Sequence, residues 1–296
     1  MRRGDWEAAW RISDRVAATR PGRVLCDPTP AGWLPRHGQG VWNGTSWSGK
    51  RVVVHCLHGL GDTIQFIRFV ALLSCDAAQV TVLAQPQLIP LLKTVQGIDA
   101  LAGLDDAPHE GAPVVAIEIM ELPYALRAQL STLPNTVPYI HVNEKRPRPE
   151  YNRGPRVGLV WQAGAWDATR SIPVELMREL TAAGGINFSI LQRGPALDSW
   201  RYPGAEIPAI RDIRDEAVEL QALDLLICVD TLSAHLAGAL GVPTWTLLPS
   251  PADWRWMEDR DDTPWYPTMR LFRQSRPGHW HSVIARVRRD LQRRFN

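Results

Sequence analysis

In HGLGDTIQFIRF, residues 58–69, two glycines follow the apolar run RVVVHC, and an aspartate, Asp62, stands at the first turn of an amphipathic stretch. A helix N-terminus presents backbone N–H groups and the positive end of the dipole, so this spot suits a bound anion as readily as a fixed one. A dinucleotide fingerprint would need a small residue three places after the second glycine and an acid near the end of the next strand. Ile64 fills the first place, and VTVLAQPQ offers no acid for the second. A carboxylate at the carboxyl edge of a sheet can instead take a proton from a bound hydroxyl, which makes Asp62 a candidate general base. The alternative is a first-turn acid that only favours its helix.

Three further stretches carry chemistry. LLICVDTLSAHLAGALGVPTW ends an apolar run at Asp230 and opens a helix of small residues with Thr231 and Ser233 and no further acid, a start suited to phosphate. Ala234, Ala237, Gly238 and Ala239 let that helix lie close to the sheet. Asp230 either accepts hydrogen bonds from sugar hydroxyls or caps the helix, and His235 in the first turn is either a ligand contact or a structural residue. In VWQAGAWDATRSIP, Arg170 stands just before a helix, where its planar fork can clamp a phosphate or stay solvated. PSPADWRWMEDRDDTPWYPTMRLFRQ crowds tryptophans, a tyrosine and charges after a strand, which suits either a cleft wall for sugar or base or a packed loop.

Residues placed this way need strands that end together. RVVVHC, QVTVLA and PVVAIEI alternate with helical segments from Asp62 to about Ser74 and near 86–96. Later, RVGLVW, NFSILQ, LLICV and PTWTLL alternate with helices at about 173–183, near 215–223 and from Ser233. The alternation predicts an α/β protein of βαβ units with parallel sheets. EKRPRPEYNRGPR, charged and proline-rich, separates the two series and reads as a linker. The expected organisation is a helix over 1–20, with Trp6, Trp10, Ser13 and Ala17 on one face, then an α/β domain over 21–143 whose residues 21–50 are loop. A linker at 144–155, a second α/β domain over 156–278 and a helix over 279–296, with five arginines opposite its apolar stripe, complete it.

With 33 Lys and Arg against 31 Asp and Glu, the net charge of +2 supplies no global field for nucleic acid or an anionic membrane. The N-terminus lacks the apolar core of a signal peptide, and no stretch approaches the roughly 18 apolar residues of a membrane span, so the expectation is a soluble cytoplasmic protein. Cys26, Cys56, Cys75 and Cys228 show no C-x-x-C spacing, which points to reduced thiols. HCLH at 55–58 and HWH at 279–281 lack a set of four ligands, and DRD at 259–261 sits in a tryptophan-rich loop, so no metal is expected.

In their order, HGLGDTIQFIRF, VGLVWQAG with RSIP, VDTLSAHLAGALGVPTW and DWRW with DDTPWYPTMRLFRQ resemble the glycosyltransferase domain found behind tetratricopeptide arrays in bacteria. That domain is similar to glycosyltransferase family nine, the ADP-heptose:lipopolysaccharide heptosyltransferases. The ordered set spans nearly the whole chain, and DWEAAWRISDRV resembles the last helix before the domain. The resemblance implies the GT-B fold, two Rossmann-like halves facing across a cleft. It also implies inverting, metal-independent transfer from a nucleoside-diphosphate sugar, with no other cofactor.

Under this resemblance Asp62 deprotonates an acceptor hydroxyl, and His58, Gly59, Gly61 and Gln65 form the acceptor-side loop around it. Thr231, Ser233, Ala234 and nearby N–H groups hold the diphosphate, Asp230 lies near the donor sugar, and His235 completes a D-T-x-x-x-H pattern. Arg170 stands where heptosyltransferases use a lysine, and Gln192 and Arg193 lie near the nucleotide. Acceptor recognition is expected from a protein partner or from residues 21–50. A non-catalytic nucleotide-sugar-binding subunit is the alternative, because fold does not dictate activity.

Overall fold

The computed structural model describes residues 1–18, 42, 44–105, 114–147, 154–164, 167–182 and 184–295. Beyond the first two residues, their contacts form one unit from Arg3–Pro134 and Tyr139–His141 and a second from Asn135–Pro138 and Val142–Asn296.

The first unit contains α1 (Trp6–Ala18), β1 (Arg51–His55), α2 (Leu60–Phe66), α3 (Val70–Leu73), β2 (Gln79–Ala84), α4 (Ile89–Leu92), β3 (Ala100–Gly103), β4 (Val114–Glu118) and α5 (Leu122–Ala125). Val52, Val53 and Val54 are all buried, because a parallel strand covered on both faces has no solvent side to alternate with. The sheet order is β3-β2-β1-β4, with His55 registered against both Leu83 and Glu118. A short 3-10 turn, Ile67–Phe69, joins α2 to α3. Trp6 and Trp10 of α1 are buried, the Trp10 indole donates to the Ala128 carbonyl at 2.7 Å, and Asp14 accepts from Tyr124 and Arg127. The helix thus finds its partner in the segment around α5.

The second unit contains β5 (Arg156–Val160), α6 (Val174–Thr181), β6 (Asn187–Ile190), β7 (Ala205–Glu206), α7 (Ile213–Gln221), β8 (Leu225–Val229), α8 (Leu232–Ala239), β9 (Thr244–Leu248), β10 (Met269–Arg273) and α9 (Trp280–Phe295). All six strands are parallel, in the order β10-β9-β8-β5-β6-β7. This is the doubly wound arrangement: the chain builds outward from β5 on one side, then returns to β8 and builds outward on the other. The apolar stripe of α9, Trp280, Val283, Ile284, Val287 and Leu291, joins Leu176, Met177 and Leu180 of α6 in one core.

Three strands lie outside the sequence-based reading. β3 and β7 are short and carry no β-branched residue, and β10 hides inside the tryptophan-rich stretch. The chain changes unit at 135–142, ahead of the expected linker. Glu144 pairs with Arg214, and Arg146 pairs with Glu206 and Glu219, so the start of that charged run is tied to the second unit. Residues 148–153 of the expected linker and 21–41 of the expected loop lie outside the described residues.

Candidate functional site

In an open parallel sheet, ligands bind beyond the carboxyl ends of the strands, where the strand order reverses. In the first unit that place is between β1 and β4. The turn after β1 leads to Gly59 at the N-cap of α2, and the Asp62 carboxylate reaches back to the Gly59 N–H at 3.0 Å, the acid half of a capping box. Gly59 has φ −68° and ψ 158°, a conformation open to any residue. What glycine supplies is room: a Cβ there would stand 3.0 Å from Asp62 Oδ2. Gln85, just past β2, pins the turn by donating to the His58 carbonyl at 2.7 Å and accepting from Thr63 at 3.0 Å.

Glu118 closes β4 at the same reversal, buried, accepting the Met120 N–H at 2.7 Å and lying 3.6 Å from His58 Nε2. Burial pushes its carboxyl up to about 8, with the charges of Glu121 and Asp62 acting in the same direction and the Met120 and Leu57 N–H groups opposing. Glu121 is pushed up to about 7 by burial, against the N–H groups of Trp42 and Glu118. Asp62 therefore has an acidic neighbour, Glu118, itself beside Glu121, and sequence reasoning missed both. The available signal was an acid ending an otherwise apolar run in VVAIEIMELP.

Glu118 has a consequence for stability. Between its unfolded value of 4.5 and its folded value of about 8, the folded chain holds a proton that the unfolded chain releases, so stability falls as pH rises through that window. Glu118→Gln removes this contribution. Its melting temperature relative to the native chain should climb from pH 5 to pH 8 in thermal unfolding followed by circular dichroism; a pH-independent difference refutes the buried neutral acid.

In the second unit the order reverses between β5 and β8. The segment after β5 reaches Arg170, buried in a short turn capped by Asp167, and its Nη1 donates to the Asp230 carbonyl at 2.9 Å. Asp230 follows β8. Burial pushes its carboxyl up, opposed by the Trp256 indole and by Arg170 and Arg255, while Asp253 adds to the rise. Thr231 is the N-cap of α8 in extended conformation, without a side-chain cap bond, so α8 offers its first N–H groups at this edge. His235 is wedged in place: Nδ1 lies 3.0 Å from the Tyr266 hydroxyl, Nε2 3.8 Å from Asp230, and the ring stacks on Trp256. Gly238 permits this packing, because a Cβ there would stand 2.4 Å from the Tyr266 ring.

No family model matches this chain. It is 25% identical over 291 residues to Protein FlbA of Caulobacter vibrioides, an alignment covering 85% of this chain and 48% of that protein, so the chain spans about half the length of that relative. Among solved structures it is similar to the glycosyl transferase family 9 protein of Veillonella parvula, at TM-score 0.56 and 14% identity over 78% of this chain and 87% of that one. Heptosyltransferase WaaC of E. coli, solved with ADP, superposes at TM-score 0.56 and 12% identity, covering 82% of this chain and 99% of that one. The iron-containing dodecameric glycosyltransferase TibC of enterotoxigenic E. coli matches at TM-score 0.55 and 14% identity over 82% and 77% of the two chains. The chain has the heptosyltransferase-like GT-B fold.

Within that GT-B fold, the structure brings Arg170, Asp230, Thr231, Ala234 and His235 together and gives several other expected site residues partners inside the protein. Asp230 does not cap α8, because Thr231 occupies that position. Gln192 is consumed internally: Oε1 accepts from the Trp161 and Gln162 N–H groups at 3.0 and 2.9 Å, and Nε2 donates to the Arg193 carbonyl at 3.1 Å, so it staples the end of β6 to that of β5. Ser233 turns its hydroxyl inward to Glu216 of α7, and Arg193 pairs with the same carboxylate at 2.7 Å. Gln65 lies fully buried in α2 and not on the loop surface. Trp256, Trp265 and Tyr266 are buried, so the segment ahead of β10 in the tryptophan-rich stretch packs into the second unit.

Among the described residues, no group of three or more His, Cys, Asp or Glu side chains is arranged to hold a metal ion, and no helix is long and apolar enough to cross a membrane.

Proposed function

We propose that this chain is an inverting glycosyltransferase that moves a sugar from a nucleoside diphosphate to an acceptor hydroxyl without a metal. One observation carries the reading: in each unit the chemistry-bearing residues lie at the carboxyl ends of the two strands between which the sheet order reverses. The second unit takes the donor. The uncapped N–H groups of α8 and the Arg170 guanidinium stabilise the negative charge that develops on the departing diphosphate. The first unit takes the acceptor, whose hydroxyl loses its proton to Asp62 as its oxygen attacks the anomeric carbon. The Gly59 N–H fixes the Asp62 carboxylate before substrate arrives. Because WaaC was solved with ADP, an adenosine-diphosphate sugar is the first donor to test.

The first measurement is thermal unfolding with ADP, UDP, GDP or AMP. A diphosphate at a hundredfold its Kd should add about 2.7 kcal/mol of stability, with AMP adding less. Release of nucleoside diphosphate from the sugar nucleotide should then persist in EDTA. Melting unmoved by all three diphosphates at millimolar concentration sinks the reading.

A further inference from the structure

α7 contains a carboxylate that the proposed chemistry does not use. Glu216 lies in the first turn of the helix and is fully buried, where a charge is unfavourable unless it is paired. The helix dipole does not require it there, since Asp215 supplies a first-turn acid alongside. Its partners are two residues that the sequence assigns to the donor. The Ser233 hydroxyl at the start of α8 donates to one oxygen, and Nη2 of Arg193, just past β6, lies 2.7 Å from the other. A carboxylate gathering a hydroxyl and a guanidinium occupies them as a phosphate oxygen would. The Arg193 side chain is 40% exposed and can turn outward; Glu216, at 0%, cannot follow it.

We propose that Glu216 is a built-in competitor for the donor diphosphate, holding Arg193 beside Ser233 in a closed arrangement from which an incoming phosphate must draw Arg193 away. This rests on the second unit being the donor side. When Arg193 turns to the diphosphate, Glu216 keeps only the Ser233 hydroxyl. Burial already pushes its carboxyl up, against Arg193 first and Ser233 second, so losing Arg193 pushes it further up and favours proton uptake. The groups around it are Arg193 from the end of β6, Ser233 from α8 and the Cys228 thiol of β8, whose own rise includes the charge of Glu216. Glu216→Gln keeps an acceptor for Ser233 but removes the charge that retains Arg193.

The test is calorimetric titration of ADP and of inorganic pyrophosphate at pH 8 into the full chain, Glu216→Gln, Arg193→Ala and the double variant. Glu216→Gln should bind about tenfold more tightly than the native chain, the scale of one hydrogen bond to a charged group. The double variant should bind no more tightly than Arg193→Ala. Titration of the native chain in two buffers of different ionisation enthalpy should show proton uptake that Glu216→Gln lacks. If the glutamine variant does not fold, Arg193→Ala decides, and diphosphate affinity equal to the native chain's overturns the proposal. Equal or weaker binding by a folded Glu216→Gln overturns it while leaving the donor side standing. Binding by Glu216→Gln where the native chain is silent supports it; silence in both overturns the donor side and this proposal together.

Discussion

Asp62→Asn should lower glycosyl transfer by about 10²- to 10⁴-fold while leaving nucleoside diphosphate affinity unchanged, because the lost contribution is proton removal in the transition state. Asparagine is the informative replacement. Its carbonyl oxygen still accepts the Gly59 N–H, so the capping box that orients the turn survives and the melting temperature should stay near that of the native chain. Alanine would mix the two roles. The readout is single-turnover transfer from the sugar nucleotide to a true acceptor, alongside calorimetry of the diphosphate. Full turnover by Asp62→Asn would leave Asp62 as a helix-capping acid, the alternative visible in the sequence.

The second large effect falls on Arg170. Arg170→Ala should weaken diphosphate binding by about 10- to 100-fold, the range for one or two hydrogen bonds from a charged donor. Its Nη1 already holds the Asp230 carbonyl at 2.9 Å, so the guanidinium reaches a phosphate with its position preset. Arg170→Lys should recover only part of the loss, because an ammonium cannot hold the Asp230 carbonyl and present a planar fork to a phosphate at the same time. Calorimetry with ADP compares the three chains. Native affinity in Arg170→Ala would remove Arg170 from the donor side.

Much of the scaffold is legible along the chain because its sheets are parallel. LLICV is apolar throughout and RVVVH has an unbroken apolar centre, as strands covered on both faces tend to, and the amphipathic stripes of α6 and α9 are equally plain. Turn chemistry is also readable: Gly59 before Asp62, and Thr231 before a helix of small residues, mark two helix starts. These are local features, decided by neighbours within a few positions.

Sheet order is not local. That β8 returns to the far side of β5, and β4 to the far side of β1, is a matter of how helices cover both faces, and it alone brings Arg170 to Asp230 and Glu118 to His58. The fates of polar side chains are equally remote. Ser233 reads as a phosphate ligand until Glu216, seventeen positions earlier, is found taking its hydroxyl. Gln192 reads as a nucleotide contact until the amides after β5, thirty positions away, fill it. A buried polar group must be satisfied by whatever lies beside it in space. The chain therefore announces which residues have chemistry to offer, and the packing of distant segments settles which of them remain open to a ligand.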